Sequence, residues 1–82
     1  YLVDTSTAPA TVTLPDVGST PGRFFQIKDS SGDAATNNIT VNVKTTASET
    51  IDEDGTTSYV ISSNHGSVTL ISRGNSSNWY VV

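Results

Sequence analysis

The stretch Ile51-Asp52 … Gly55 … Tyr59-Val60-Ile61 … Gly66-Ser67-Val68-Thr69-Leu70-Ile71-Ser72 … Gly74 … Asn78-Trp79-Tyr80-Val81-Val82 decides the fold. Short runs rich in β-branched and aromatic residues alternate with Gly, Asn and Asp, so each run reads as a strand and each break as a turn. Nothing in the chain carries the i, i+3, i+4 apolar spacing of an amphipathic helix. Working outward, the same punctuation predicts strands near 1–4, 10–14, 23–28, 38–44, 58–62, 67–72 and 78–82, with a shorter one near 49–52. Pro9, Pro15 and Pro21 fall at strand borders, where a missing N–H does no harm. Gly32, Gly55, Gly66 and Gly74 mark turns that need positive φ or close backbone approach. The expected fold is all-β: one small antiparallel β-sandwich or β-prism-like domain over residues 1–82.

Alternation assigns the faces. Ile39, Val41 and Val43 share one side of their strand, and Thr40, Asn42 and Lys44 the other. Val12 and Leu14 oppose Thr11 and Thr13 in the same way. Such strands are buried on one face and wet on the other. The closing strand differs, because Trp79 and Val81 point one way, Tyr80 and Val82 the other, and both faces are apolar. Phe24-Phe25 poses the same problem. A strand apolar on both faces needs a cover on each, and in so short a chain a second subunit is the natural cover. The expected core or subunit-contact residues are Phe25, Ile27, Ile39, Val41, Val68, Leu70, Trp79 and Val81.

Composition points to the same remedy. Only 19 of the 82 residues are Leu, Ile, Val or Phe, while 25 are Ser or Thr. Ordering a backbone of this length costs on the order of 100 kcal/mol, and few large side chains are present to offset it. There is no Cys, no Met and one His, so neither disulfides nor a Cys-based zinc site supplies the difference. Association with further copies is the remaining common solution. The net charge of -4, with Arg23, Lys28, Lys44 and Arg73 scattered, excludes a phosphate-binding surface and with it nucleic acid as a partner. No apolar run approaches the ~20 residues of a membrane-spanning helix, and no signal-peptide pattern opens the chain. The start at Tyr1-Leu2-Val3-Asp4 falls mid-pattern, as in a segment of a longer polypeptide.

Few residues invite chemistry. Asp52-Glu53-Asp54-Gly55 is the one dense acidic cluster, but its spacing lacks the later bidentate Glu of a calcium loop, so it reads as a solvated turn. His65 within Asn64-His65-Gly66 reads as a turn, because nothing marks the base-orienting neighbours that hydrolytic catalysis requires. Asn38-Ile39-Thr40 and Asn75-Ser76-Ser77 match the N-glycosylation acceptor pattern, which arises by chance in a chain this rich in Asn, Ser and Thr. Trp79, Tyr80 and Tyr59 could stack on sugar rings, yet Trp79 beside Val81 reads as core. No catalytic residue, metal ligand or cofactor is expected.

The order of these pieces resembles a module that recurs in the fibres and spikes of bacteriophages and in surface proteins of some large viruses. Thr11-Val12-Thr13-Leu14-Pro15 fits its opening strand. Pro21-Gly22-Arg23-Phe24-Phe25-Gln26-Ile27-Lys28-Asp29-Ser30-Ser31-Gly32 and Asn37-Asn38-Ile39-Thr40-Val41 fit its middle, and the stretch quoted first fits its end. In that family Gly more usually follows the Asp at position 52, so Glu53 and Asp54 look like a local lengthening of the turn. The resemblance implies a tightly packed homotrimer at the virion surface, assembled in the host cytoplasm alongside other virion proteins, with no enzymatic step. It also implies adhesion to the host, with a surface glycan as the expected ligand. Asn64, His65, Asn78 and Tyr59 are the expected contact residues, since their turns flank the aromatic-rich strands. Three other readings stay open: a capsid decoration or cement protein, a monomeric carbohydrate-binding module, and an accessory segment of a tailspike depolymerase.

Overall fold

The computed structural model describes residues 1–15, 22–44, 49–51, 56–72 and 78–82. These form eight strands: β1 (Leu2–Val3), β2 (Ala10–Thr13), β3 (Phe24–Asp29), β4 (Ile39–Asn42), β5 (Thr50–Ile51), β6 (Ser58–Ile61), β7 (Ser67–Ser72) and β8 (Asn78–Val81). They build a five-stranded sheet in the order β1-β3-β7-β8-β5 and a three-stranded sheet in the order β2-β4-β6. Among the described residues no helix is long and apolar enough to cross a membrane.

The all-β class stands, but the sheets are mixed where an antiparallel arrangement was expected. β1 runs parallel to β3, β2 to β4 and β5 to β8. The reason lies in the connections. From β1 to β7 the chain changes sheet at every step, so consecutive strands belong to opposite sheets instead of pairing through a hairpin. Partners within a sheet are therefore strands further apart in sequence, which are free to run in the same direction. Only β7 and β8 are consecutive strands that pair within one sheet, and they pair antiparallel.

Period-2 alternation sets the core. On β3 and β7 the pairs Phe25↔Leu70 and Ile27↔Val68 face inward, and Ser72↔Trp79 continues the row onto β8. From the narrow sheet, Ile39↔Ile61 and Val41↔Tyr59 face them. Ile27, Ile39, Val41, Leu70 and Trp79 are wholly buried, Val68 nearly so, while Phe25 and Val81 pack partly buried against them. Each full burial of a large apolar side chain contributes roughly 1.5–3 kcal/mol. Phe25 meets Trp79 edge-on at 5.5 Å and 73°, a geometry the aromatic quadrupoles favour. Among the described residues the buried indole Nε1 of Trp79 meets no hydrogen-bond partner, a local cost within an otherwise apolar site.

The outward face of the wide sheet is mixed, with Gln26, Lys28, Ser67 and Thr69 on the same side as a row of apolar residues. Phe24, Ile71 and Tyr80 lie in register across β3, β7 and β8. Leu2 and Val82 stand on the same side, and Leu2, Phe24 and Val82 are 76%, 64% and 70% exposed. The outward face of the narrow sheet instead carries Thr11, Thr13, Thr40, Asn42, Ser58 and Val60.

Candidate functional site

The best-organised polar cluster centres on Asp29, one residue past the strand expected over 23–28. Asp29 ends β3 on its inward side and is fully buried, as is Ala34. One carboxylate oxygen accepts from the Thr5 hydroxyl at 2.7 Å and the Gly32 N–H at 3.1 Å, with the Ser31 hydroxyl at 3.4 Å. The other accepts from the N–H groups of Ala34 at 2.9 Å and His65 at 3.0 Å. Burial by itself disfavours the charge. The Thr5 hydroxyl and the N–H groups of His65, Ala34 and Gly32 outweigh it and hold the carboxyl far below its ordinary value. Asp29 is therefore an ionised clasp joining three segments: the β1–β2 connection, the loop after β3, and the β6–β7 turn. Thr5 extends it, since its N–H donates to the Ser31 hydroxyl and its carbonyl accepts from Asn37 Nδ2.

This clasp sets the 62–67 turn. His65 takes a left-handed conformation at φ 59°, although Asn64 and Gly66 are the residue types that adopt it most easily. Its N–H is thereby aimed at Asp29, and its carbonyl accepts from Lys28 Nζ at 2.7 Å. The imidazole lies over Gly32, where a Cβ would come within 2.6 Å of Nε2. Gly32 also has φ 88°, so it is fixed as glycine twice over. Asn64 Oδ1 accepts from the Ala35 N–H at 3.0 Å, which ties the turn to the loop after β3. Gly66 serves close approach, with the Ser63 carbonyl 2.8 Å from where its Cβ would stand.

Of the four expected contact residues, the structure brings Tyr59, Asn64 and His65 to one end of the molecule. It sets Asn78 apart. Asn78 opens β8 beside Thr50, whose hydroxyl donates to it, at the far end of the β7–β8 pair. The separation along the strands is roughly 20 Å at ~3.4 Å per residue. The side chain of Asn64 holds the loop after β3, while His65 acts through its backbone and its imidazole lies over Gly32. Tyr59 is the freer group, 37% exposed at the rim of β6. With Val60 to Ser63, Gly66 and Ser67 it borders a recess of about 150 Å³ lined by hydroxyls and backbone. A larger recess of about 310 Å³ lies at the end of β4, between Lys44, Glu49 and Thr57. Among the described residues no cluster of His, Asp or Glu is arranged to hold a metal ion. The acidic turn over 52–55, and Asn75 to Ser77 with Gly74, lie outside the described residues.

Sequence reasoning missed Asp29, Thr5 and Ala34. The signal that could have found them is Asp29-Ser30-Ser31-Gly32, an Asp followed by hydroxyls and a glycine, which is a loop-closing pattern. No protein-family model matches the chain, and no curated protein matches it as a relative.

Proposed function

We propose that this chain is a structural module of a viral fibre or spike that self-associates, as a homotrimer, and supports attachment of the virion to its host. The observation that carries the reading is the apolar row Phe24, Ile71 and Tyr80 across the outward side of the wide sheet, with Val82 next to it and Leu2 further along beside Lys28. Exposed apolar side chains grouped in this way suit an interaction site, and in a chain with so small a core their burial by further copies adds stability where it is short. The strand directions suit a fibre. β1 is parallel to β3, β3 antiparallel to β7 and β7 antiparallel to β8, so the first and last strands point the same way. The expected ligand is a host-surface glycan, and the expected neighbours are other virion proteins; no bond-breaking step is assigned.

The test is the mass in solution by light scattering over a concentration series. The expected result is a trimer at micromolar concentration whose melting temperature rises with concentration. A monomer stable at that concentration would remove the trimer and most of the fibre reading. If such a monomer bound sugars on a glycan array and lost them with Tyr59→Ala, the carbohydrate-binding module would take its place.

A further inference from the structure

Among the described residues β2 and β6 are the two edges of the narrow sheet, and their hydrogen-bonding patterns fit each other. On β2 the N–H groups of Ala10 and Leu14 are spent on β4, reaching Asn38 and Asn42. By the alternation of a parallel ladder, Thr11 and Thr13 turn their N–H and C=O away from the sheet. Pro9 and Pro15 occupy the next outward positions on either side and offer no N–H. On β6 the bond from Val43 to the Thr57 carbonyl, with the register Val41↔Tyr59 and Ile39↔Ile61, spends the odd-numbered residues on β4. Ser58 and Val60 face outward, and beyond them the Thr56 carbonyl is already taken by Ile51. Each edge therefore offers two outward residues, and within the sheet order no strand flanks either edge. Among the described residues β5 meets the β6 side only through the antiparallel bridge of Ile51 to Thr56, which bounds the stretch open to a partner at Ser58. Within Ala10–Thr13 and Ser58–Ile61 there is no charge or proline to keep the edge strand from pairing, and Pro9 and Pro15 limit the pairing stretch of the first edge to Thr11 and Thr13.

We infer that β2 of one copy adds antiparallel to β6 of the next, continuing the narrow sheet from copy to copy. β2 and β6 already run antiparallel within one sheet, so laying a second copy alongside presents the strands in the right sense. In one register all four outward residues are satisfied: Thr11 opposite Val60 and Thr13 opposite Ser58. That register sets Val12 directly opposite Tyr59. Both side chains point to the core side and both are left partly exposed at their rims. A β-branched residue facing an aromatic is a favourable cross-strand pair. The partner is another copy of this chain, so the inference rests on the self-association proposed above. The contact is heterologous, each copy using one edge to give and the other to receive. It leaves the apolar row of the wide sheet free for its own contact.

Cross-linking tests it, since the chain has no cysteine of its own. Within one copy Val12 and Tyr59 flank Val41 on opposite sides, two strand spacings or roughly 10 Å apart, too far for a disulfide. Oxidising Val12→Cys/Tyr59→Cys at micromolar concentration is expected to give covalent species larger than a dimer, and Tyr59→Cys alone none. A covalent dimer from Tyr59→Cys alone, or no cross-link in a folded double variant that still self-associates by light scattering, would overturn the edge pairing and leave self-association standing. A monomeric wild type would overturn both. Should the cysteine variant fail to fold, Thr11→Lys/Val60→Lys places like charges opposite each other on the solvent side. Its mass is expected to fall below wild type and to recover in Thr11→Lys/Val60→Glu; an unchanged mass would refute the pairing.

Discussion

The two sheets of this sandwich share one core but differ in how they meet the outside. The narrow sheet shows Thr11, Thr13, Thr40, Asn42 and Ser58 on its outward face, with Val60 as its one apolar member among the described residues. The wide sheet shows Leu2, Phe24, Ile71, Tyr80 and Val82 among Gln26, Lys28, Ser67 and Thr69, a layer with a larger apolar share. The difference teaches that the chain's small apolar content is not simply a small core. Among the described residues part of it stands outside the core, as the exposure of Leu2, Phe24 and Val82 shows.

The largest expected effect comes from breaking what the sheets have in common. Trp79→Ala should cost about 3–5 kcal/mol, because the indole is wholly buried and packs edge-on against Phe25. Urea denaturation of the variant against wild type measures it. A loss below about 1 kcal/mol would mean the core does not depend on the wide sheet's closing strand.

Next is Asp29→Asn, which breaks the tie between the sheets' connecting loops. The folded carboxyl lies below its ordinary value, so its stabilising contribution is present in full above the unfolded value, roughly 4. It is lost as the pH falls from there towards the folded value. Wild type should therefore lose melting temperature steeply in that acid range. The Asn variant should melt lower at neutral pH, with a shallower acid slope. Equal slopes would show that Asp29 is not the acid-sensitive group.

A smaller effect sharpens the contrast of faces. Phe24→Ser should change the stability of the isolated subunit by no more than roughly 0.5 kcal/mol yet lower the assembled mass, whereas Thr40→Ser should alter neither. Light scattering beside thermal melts separates the two, and equal behaviour of both variants would erase the distinction between the sheets. The smallest expectation is no effect at all. Millimolar calcium should leave the melting temperature unchanged if Asp52, Glu53 and Asp54 are a solvated turn, and a rise of several degrees that disappears in Asp52→Asn/Asp54→Asn would reverse that reading.

Strand positions were legible because Gly, Pro and Asn punctuate alternating runs, and local chemistry suffices to place such breaks. The inward rows of β3, β4 and β7 followed from period 2 alone. Strand direction did not follow, since it depends on which sheet each connection leads to, and nothing local to Thr5-Ser6 or Ser30-Ser31 records that. The clasp was illegible for the same reason. Asp29 finds Thr5 and His65 at sequence separations of 24 and 36 residues, and only the assembled fold brings them together. Asn64 and His65 read as exposed turn residues, and so they are, but their polar groups answer to the loop after β3 more than to solvent.

Those separations carry a consequence in time. A carboxylate that gathers donors from two distant parts of the chain as well as its own loop is fully satisfied only when the sheets between them exist, because each long loop must close before its contact gives any return. The clasp is thus expected to complete late on the folding path, after the rate-limiting barrier. Variants at Asp29 should leave the refolding rate close to wild type and speed unfolding, as low-φ positions do. Stopped-flow refolding and unfolding arms measure this, and a slowed refolding arm in Asp29→Asn would place the clasp early instead. What the carboxylate governs, then, is how long a folded copy stays folded.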